Sequence, residues 1–284
     1  MWNIVRKSAI IALCVVIIGN LVTGCGLRER HEERLEQERD ALTVPIEIQS
    51  ESGKLNPEAS ETASQNPKEK IYSANDTFQA KDPENENLAG MLQEHASGVV
   101  VRIKTDRLIG SGIIWTMNSD YITVITAAHV LDGADLLEIT FIDGVSIRDN
   151  EAHSWKWSCC EDTDLAFIQI PISEVSDETL EECRYVAVDT EIFDGMTAGD
   201  RILVIGSTDA VAANAYEGTL TEAWIYMEDY QQYMMLGKTY AKPGMSGGGV
   251  FNQQGYFVGI LSGADEDGNL AVVPLSLIWA EEMF

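Results

Sequence analysis

The stretch "AKPGMSGGGV", Ala241–Val250, decides the fold, because four glycines crowd a single serine and a strand-like run follows them. A Walker-type phosphate loop needs Lys and then Ser or Thr after its last glycine, opening a helix. A hydrolase nucleophile elbow also runs from its serine into a helix. Here Val250-Phe251-Asn252 follows, an apolar run that reads as a strand. What remains is Ser246 on a glycine-permitted turn between strands. Glycines let the backbone take positive φ and let amide hydrogens converge on one point without side chains in the way. An oxyanion hole requires that arrangement.

Outward from this turn, the chain after Leu88 is a succession of short Val/Ile-rich runs separated by Gly, Asp, Asn or Ser. They are "GVVVRIKT", "SGIIWTM", "YITVITAAHV", "LLEITFI", "LAFIQIPI", "RYVAV", "RILVIGS", "QYMMLGK", "YFVGILSG" and "LAVVPLSLI". Runs of this length and composition read as strands. No amphipathic helix of more than three turns separates them, so an all-β antiparallel sandwich or barrel pair is expected rather than a wound α/β sheet. Ser276–Phe284 reads as one short carboxyl-terminal helix.

The amino-terminal part has a different character. Arg6 and Lys7, the apolar run Ala9–Val22 and then "VTGC" read as an export signal over residues 1–25. The apolar run is shorter than the roughly 20 residues of a membrane span. "VTGC" resembles the lipobox of bacterial lipoproteins, which implies that Cys25 is lipidated. The alternative is an uncleaved anchor beginning near Ile4. Either tethers the chain to the cell membrane with the rest on the extracytoplasmic side. Residues 26–88 are charged, then rich in Ser, Glu, Asn, Lys and Pro, and read as a flexible tether. Residues 89–284 form the folded domain.

The formal net charge is −27, and the segment from Leu88 onward holds 9 Lys+Arg against 31 Asp+Glu. Such a surface repels nucleic acid and anionic lipid, so neither is an expected partner of the domain. Removing Cys14 with the signal and giving Cys25 to lipid leaves Cys159, Cys160 and Cys183. One of the adjacent pair could bond to Cys183, but adjacent cysteines rarely bridge each other. No cysteine or histidine cluster has zinc-ligand spacing. No metal and no cofactor is expected.

A serine nucleophile needs a base and a group to orient that base. Of the four histidines, His31 lies in the tether, His95 precedes the first strand and His153 sits in a polar loop. His129 ends the run "YITVITAAHV", where Ala127 and Ala128 leave room for close packing. Asp164 directly precedes the buried run "LAFIQIPI", where an unpaired carboxylate would be costly unless hydrogen bonded. Asp162, two residues earlier, is the reserve candidate.

"TAAHV" with His129, "DTDLAFI" with Asp164 and "GMSGGG" with Ser246 resemble the three signature segments of trypsin-like, chymotrypsin-fold serine proteases, in the family's order and at spacings of 35 and 82 residues. "IGSGIIW" and "DLAFIQI" are most similar to the bacterial HtrA-like branch. The resemblance covers about Gly90 to the carboxyl terminus. It implies two antiparallel six-stranded β-barrels with a His129, Asp164, Ser246 triad between them. It further implies an oxyanion hole of Gly244 and Ser246 amides, with Met245 donating in some variants, and a peptide-pairing strand carrying Ser262 and Gly263. By position relative to Ser246, Tyr240 is expected near the base of the primary specificity pocket, suited to small or medium apolar side chains.

Two residues depart from the family pattern. Met245 stands where an Asp or Asn is common, so activation by a freed amino terminus pairing with that Asp is not expected. Gly249 replaces a Pro or small residue, which predicts a more flexible loop. No PDZ-like domain is expected after the protease domain, and the sequence does not specify an oligomeric state. The resulting expectation is a membrane-tethered serine endopeptidase acting on polypeptide substrates. The alternative is an inactive binding or sensor module that keeps the protease fold.

Overall fold

The computed structural model describes residues 88–149, 154–208 and 213–282. The signal or anchor, Cys25, the tether to residue 87, His31 and His153 lie outside these. Among the described residues no helix is long and apolar enough to cross a membrane.

Strands β1 (Val100–Thr105), β2 (Ile109–Met117), β3 (Tyr121–Thr126), β4 (Leu137–Thr140), β5 (Ser146–Arg148), β6 (Lys156–Cys159) and β7 (Ala166–Pro171) form one sheet. Its order is β5-β4-β1-β2-β3-β7-β6. Strands β8 (Arg201–Ser207), β9 (Ala213–Met227), β10 (Gln232–Lys238), β11 (Gly249–Asn252), β12 (Phe257–Ala264) and β13 (Asn269–Pro274) close into a six-stranded barrel, order β10-β13-β12-β11-β8-β9. Five α-helices accompany them among the described residues: α1 (Leu88–Ala96), α2 (Ala128–Leu131), α3 (Asp177–Glu182), α4 (Thr190–Asp194) and α5 (Leu275–Glu282).

The all-β class and the terminal helix agree with expectation, and the first half departs from it. Seven strands form an open, half-barrel sheet rather than a closed barrel of six. Its edges β5 and β6 are three and four residues long and mostly exposed. They bury too little to be held against each other. The run "RYVAV" is not a strand either. It crosses between the halves, bonded through Val186 N–H to Ile114 O at 3.2 Å and through Ala187 O to Phe257 N–H at 2.9 Å.

The core follows the alternation of each run. Ile103, Ile113, Ile122, Ile125 and Ile139 are fully buried in a first cluster that continues through Phe251 and Phe257. A second cluster, with Ile202, Val204, Val250, Leu261 and Met245, packs separately. Each such side chain contributes about 1.5–3 kcal/mol when removed from water.

Register then places the chemistry. Strands β3 and β7 pair with Thr126 opposite Ala166. The third residue beyond one strand and the second before the other, His129 and Asp164, therefore meet at the same end. Likewise β11 begins at Gly249 opposite Ile260, and the ladder runs on through Leu261 N–H to Gly248 O at 2.8 Å and Gly247 N–H to Leu261 O at 2.7 Å. This carries Ser246 to the same barrel end as Ser262.

Candidate active site

The run expected to end as a strand at His129 instead leaves the sheet at Thr126 and makes one helical turn, α2. Ala127, extended at φ −70° and ψ 135°, starts that turn. The turn aims both the backbone and the ring of His129 at one carboxylate. Asp164 Oδ1 accepts from the His129 backbone N–H at 3.0 Å, and Oδ2 lies 2.9 Å from Nδ1. The ring remains 45% exposed while the Asp164 side chain is 15% exposed. One partner is thus held and the other stays largely open to solvent. Among the described residues Nε2 has no hydrogen bond.

Electrostatics follow from this pairing. The hydrogen bond that the ring donates to Asp164 raises the His129 value above its ordinary 6.5; burial opposes the rise and the carboxylate's charge adds to it. Burial pushes Asp164 up, but hydrogen bonds from His129 and Ser262 overcome it and leave the carboxyl below its ordinary value. A low carboxyl beside a raised imidazole is an ion pair ready to form when the ring takes a proton.

Ser262 also has a contact that the sequence did not foretell. Its side chain is buried and its hydroxyl donates a short hydrogen bond to Asp164 Oδ2. Gly263 lies beside it, half-buried, where β12 runs past the end of β11. Leu261 is the last residue of β12 bonded to the serine turn, so the outer edge at Gly263 has no strand beside it among the described residues.

The serine turn is held from the opposite half of the fold. Ser111 N–H donates to Ser246 O at 2.8 Å, and Ser111 Oγ donates to Gly244 O at 2.8 Å while accepting from Ser207 N–H at 2.8 Å. Nothing in "IGSGIIW" by itself marks Ser111 for this role. Gly247 has φ 82°, and a Cβ there would stand 2.1 Å from both Ser111 O and Thr126 Oγ1. Only glycine lets the serine turn approach the histidine strand this closely. Gly244 also has positive φ, 94°. Among the described residues neither the Gly244 nor the Ser246 amide donates a hydrogen bond, and no hydrogen bond joins Ser246 Oγ to His129. Apo sites commonly leave that last contact long until substrate binds.

Three expectations change here. The Met245 N–H donates to Lys242 O at 3.1 Å, so it is spent on the turn. Its side chain is fully buried and its sulfur accepts from Lys242 N–H at 3.3 Å. Gly249 is not a flexible point: it is the first residue of β11, and a Cβ there would stand 2.6 Å from the Phe251 ring. Tyr240 is 60% exposed with its ring edge-on to Tyr216 at 5.2 Å. A ring so exposed does not floor a closed pocket. Asp162, the reserve carboxylate, is exposed, and the bonds to His129 go to Asp164. Cys159, Cys160 and Cys183 are all free thiols, and burial pushes Cys160 and Cys183 up to about 12.

Known proteins are similar to this chain. The chain is 27% identical over 168 residues to the "Serine protease HtrA-like" protein of Staphylococcus aureus strain USA300, a match covering 54% of this chain and 20% of that protein. The homologue of strain bovine RF122 is 28% identical over the same length. The chain therefore spans about a fifth of the curated relatives it matches. In fold it is similar to the HtrA-type protease AlgW with tripeptide, with TM-score 0.55 and 19% identity over 68% of this chain and 61% of that one. It is also similar to the inactive form of the Rv3671c protease of M. tuberculosis H37Rv, with TM-score 0.53 and 16% identity over 70% and 95% of the two chains. The model of the trypsin-like peptidase domain matches residues 110–260, which span Ser111, the histidine turn, Asp164 and the serine turn, and the chain belongs to that family.

Proposed function

We propose that the chain is a serine endopeptidase cutting exposed or unfolded polypeptide, tethered to a membrane on its extracytoplasmic side by lipid on Cys25 or by an uncleaved anchor. The observation that carries the catalytic reading is the doubly bonded His129–Asp164 pair, 2.9 Å from ring nitrogen to carboxylate, beside a serine turn whose two outer amides are unspent. Ser246 Oγ attacks the scissile carbonyl as His129 Nε2 takes its proton, and the imidazolium passes that proton to the leaving amine. Asp164 holds Nδ1–H and stabilises the imidazolium, and Ser262 holds Asp164. The Gly244 and Ser246 amides receive the oxyanion; losing one such donor typically costs about 3 kcal/mol. Substrate residues before the scissile bond pair with the open edge at Ser262 and Gly263 as an added strand. No step calls for a metal or a cofactor.

A fluorophosphonate probe on the full-length protein in membranes tests both parts. Covalent labelling of wild type, none of Ser246→Ala, and sedimentation of the label with the membrane fraction are expected. A folded wild type that stays unlabelled would overturn the catalytic reading in favour of a binding module.

A further inference from the structure

Helix α1 precedes the segment that matches the family, which begins at residue 110, yet it is bonded to a strand that serves the serine turn. It packs against β9 and β8. From it Gln93 Nε2 donates to the Ala213 carbonyl at 2.5 Å, across 120 residues of chain. Ala213 is the first residue of β9. Its carbonyl belongs to the peptide group shared with Asn214, so this bond fixes the plane from which Asn214 starts.

Asn214 in turn faces the serine turn. It lies opposite Gly206 across β8 and β9, and directly opposed residues project to one face of the sheet. On that face a Cβ at Gly206 would stand 3.0 Å from Met245 Cα. Asn214 Nδ2 donates to Thr208 Oγ1 at 2.9 Å, and Asn214 Oδ1 accepts from Lys242 Nζ at 3.4 Å. Tyr216, two residues on and therefore on the same face, has its ring centre 5.8 Å from the Lys242 ammonium. That distance is within the range of cation–π attraction. The Lys242 side chain is thus anchored to two successive positions on one face of β9.

Lys242 is also where the turn that aims the oxyanion amides begins. Its carbonyl accepts from Met245 N–H at 3.1 Å, closing a four-residue turn. Pro243 in second place and Gly244 in third place, with φ 94°, are the marks of a type II turn. A type I turn closes the same first-to-fourth bond with its central peptide flipped over, and the Gly244 N–H would flip with it. The bond from Met245 to Lys242 therefore does not fix where that amide points. The surroundings do: Ser111 Oγ holds the Gly244 carbonyl, and the Lys242 side chain holds the entry.

Resting on the serine endopeptidase reading, we propose that Gln93, Asn214 and Lys242 are positioning residues of the oxyanion turn. Gln93 holds the start of β9, Asn214 passes that hold to the Lys242 ammonium, and Lys242 sets the entry so that the Gly244 amide is aimed before substrate arrives. By this path helix α1, outside the matched family segment, supports the chemistry.

The test uses a peptide anilide built on a site that wild type cuts in unfolded casein, with active sites counted by end-point fluorophosphonate labelling of the full-length protein. A peptide boronate of the same sequence, which becomes tetrahedral on Ser246 and sets an oxygen toward the oxyanion amides, reads their aim directly. Lys242→Met is expected to lower kcat about tenfold with little change in KM, short of the 10²–10³ of a deleted donor, and to weaken the boronate by a similar factor. Gln93→Met and Asn214→Ala should each lower kcat about threefold. Lys242→Arg, which keeps the charge and a donor for Asn214, should restore most of the loss. Adding Gln93→Met to Lys242→Met should lower kcat no further, because both act along one path. Glu94→Gln, an exposed neighbour on the same helix, should change nothing. If Lys242→Met does not fold, Gln93→Met, Asn214→Ala and Lys242→Arg decide by the same readings. Labelled variants with wild-type kcat, a loss confined to KM, or losses that simply multiply in the double variant would overturn this inference alone. A wild type that neither turns over the anilide nor is labelled at Ser246 would overturn the protease reading and this inference with it.

Discussion

Replacing Ser111 by alanine removes the hydroxyl that ties the serine turn to the opposite half of the fold. Its donation to Gly244 O, part-buried, and its acceptance from Ser207 N–H, buried, both 2.8 Å, disappear without any change of backbone preference. Losing a partner inside the protein costs about 1–3 kcal/mol, a sizeable part of the 5–15 kcal/mol that typically separates folded from unfolded. With a urea slope of about 2 kcal/mol per molar, a loss of about 2 kcal/mol moves the midpoint down by about 1 M. The same loss frees the Gly244 carbonyl to rotate, and the oxyanion amides lose their aim. Activity should fall about 10- to 100-fold, less than the 10²–10³ of a deleted donor. Tryptophan fluorescence in urea reads the first effect, and burst labelling by a fluorophosphonate reads the second. A Ser111→Ala protein with an unmoved urea midpoint and wild-type labelling kinetics would refute the claim that this hydroxyl organises the turn.

Gly247→Ala combines a positive φ, costing about 1–2 kcal/mol, with a Cβ 2.1 Å from Ser111 O, adding about 1–3 kcal/mol of overpacking. A calorimetric melt should drop by about 10 °C, while Gly144→Ala, equally positive in φ but with nothing within 4 Å, should drop by only a few degrees; equal losses would contradict the close approach. The raised His129 value gives kcat/KM an acid limb with its midpoint above the ordinary 6.5, because the base must be neutral. Asp164→Asn should lower that midpoint and cut kcat by about 10⁴. The stability contributed by protonated His129 is complete below its unfolded value and lost as pH rises through the folded one. The gap in melting temperature between wild type and Asp164→Asn should therefore narrow as pH rises through that range, and a gap that widens would reverse the assigned direction.

Several elements escaped a reading by local pattern. Strand β9, Ala213–Met227, is largely exposed and carries no clear alternation, so its strand character comes from pairing with β8 on one side and β10 on the other. "RYVAV" has the composition of a strand but passes between the halves, where packing overrides propensity. Met245 and Gly249 looked like weak points because they depart from a family pattern. Both are buried, and the second cluster packs around the Met245 side chain.

By itself the sequence determined the all-β class, the strand-turn-strand setting of Ser246, and His129 and Asp164 as its candidate base and orienter. Those follow from local rules: runs of β-branched residues, glycines where the turn demands them, and a carboxylate at the mouth of a buried strand. Only the tertiary structure decided that Ser262 supports Asp164 from 98 residues away and that Ser111 supports Gly244 from 133 residues away. It also decided that the first half is an open seven-stranded sheet. A hydroxyl's partner and a strand's unpaired side depend on register between distant strands, which no single stretch of the chain encodes.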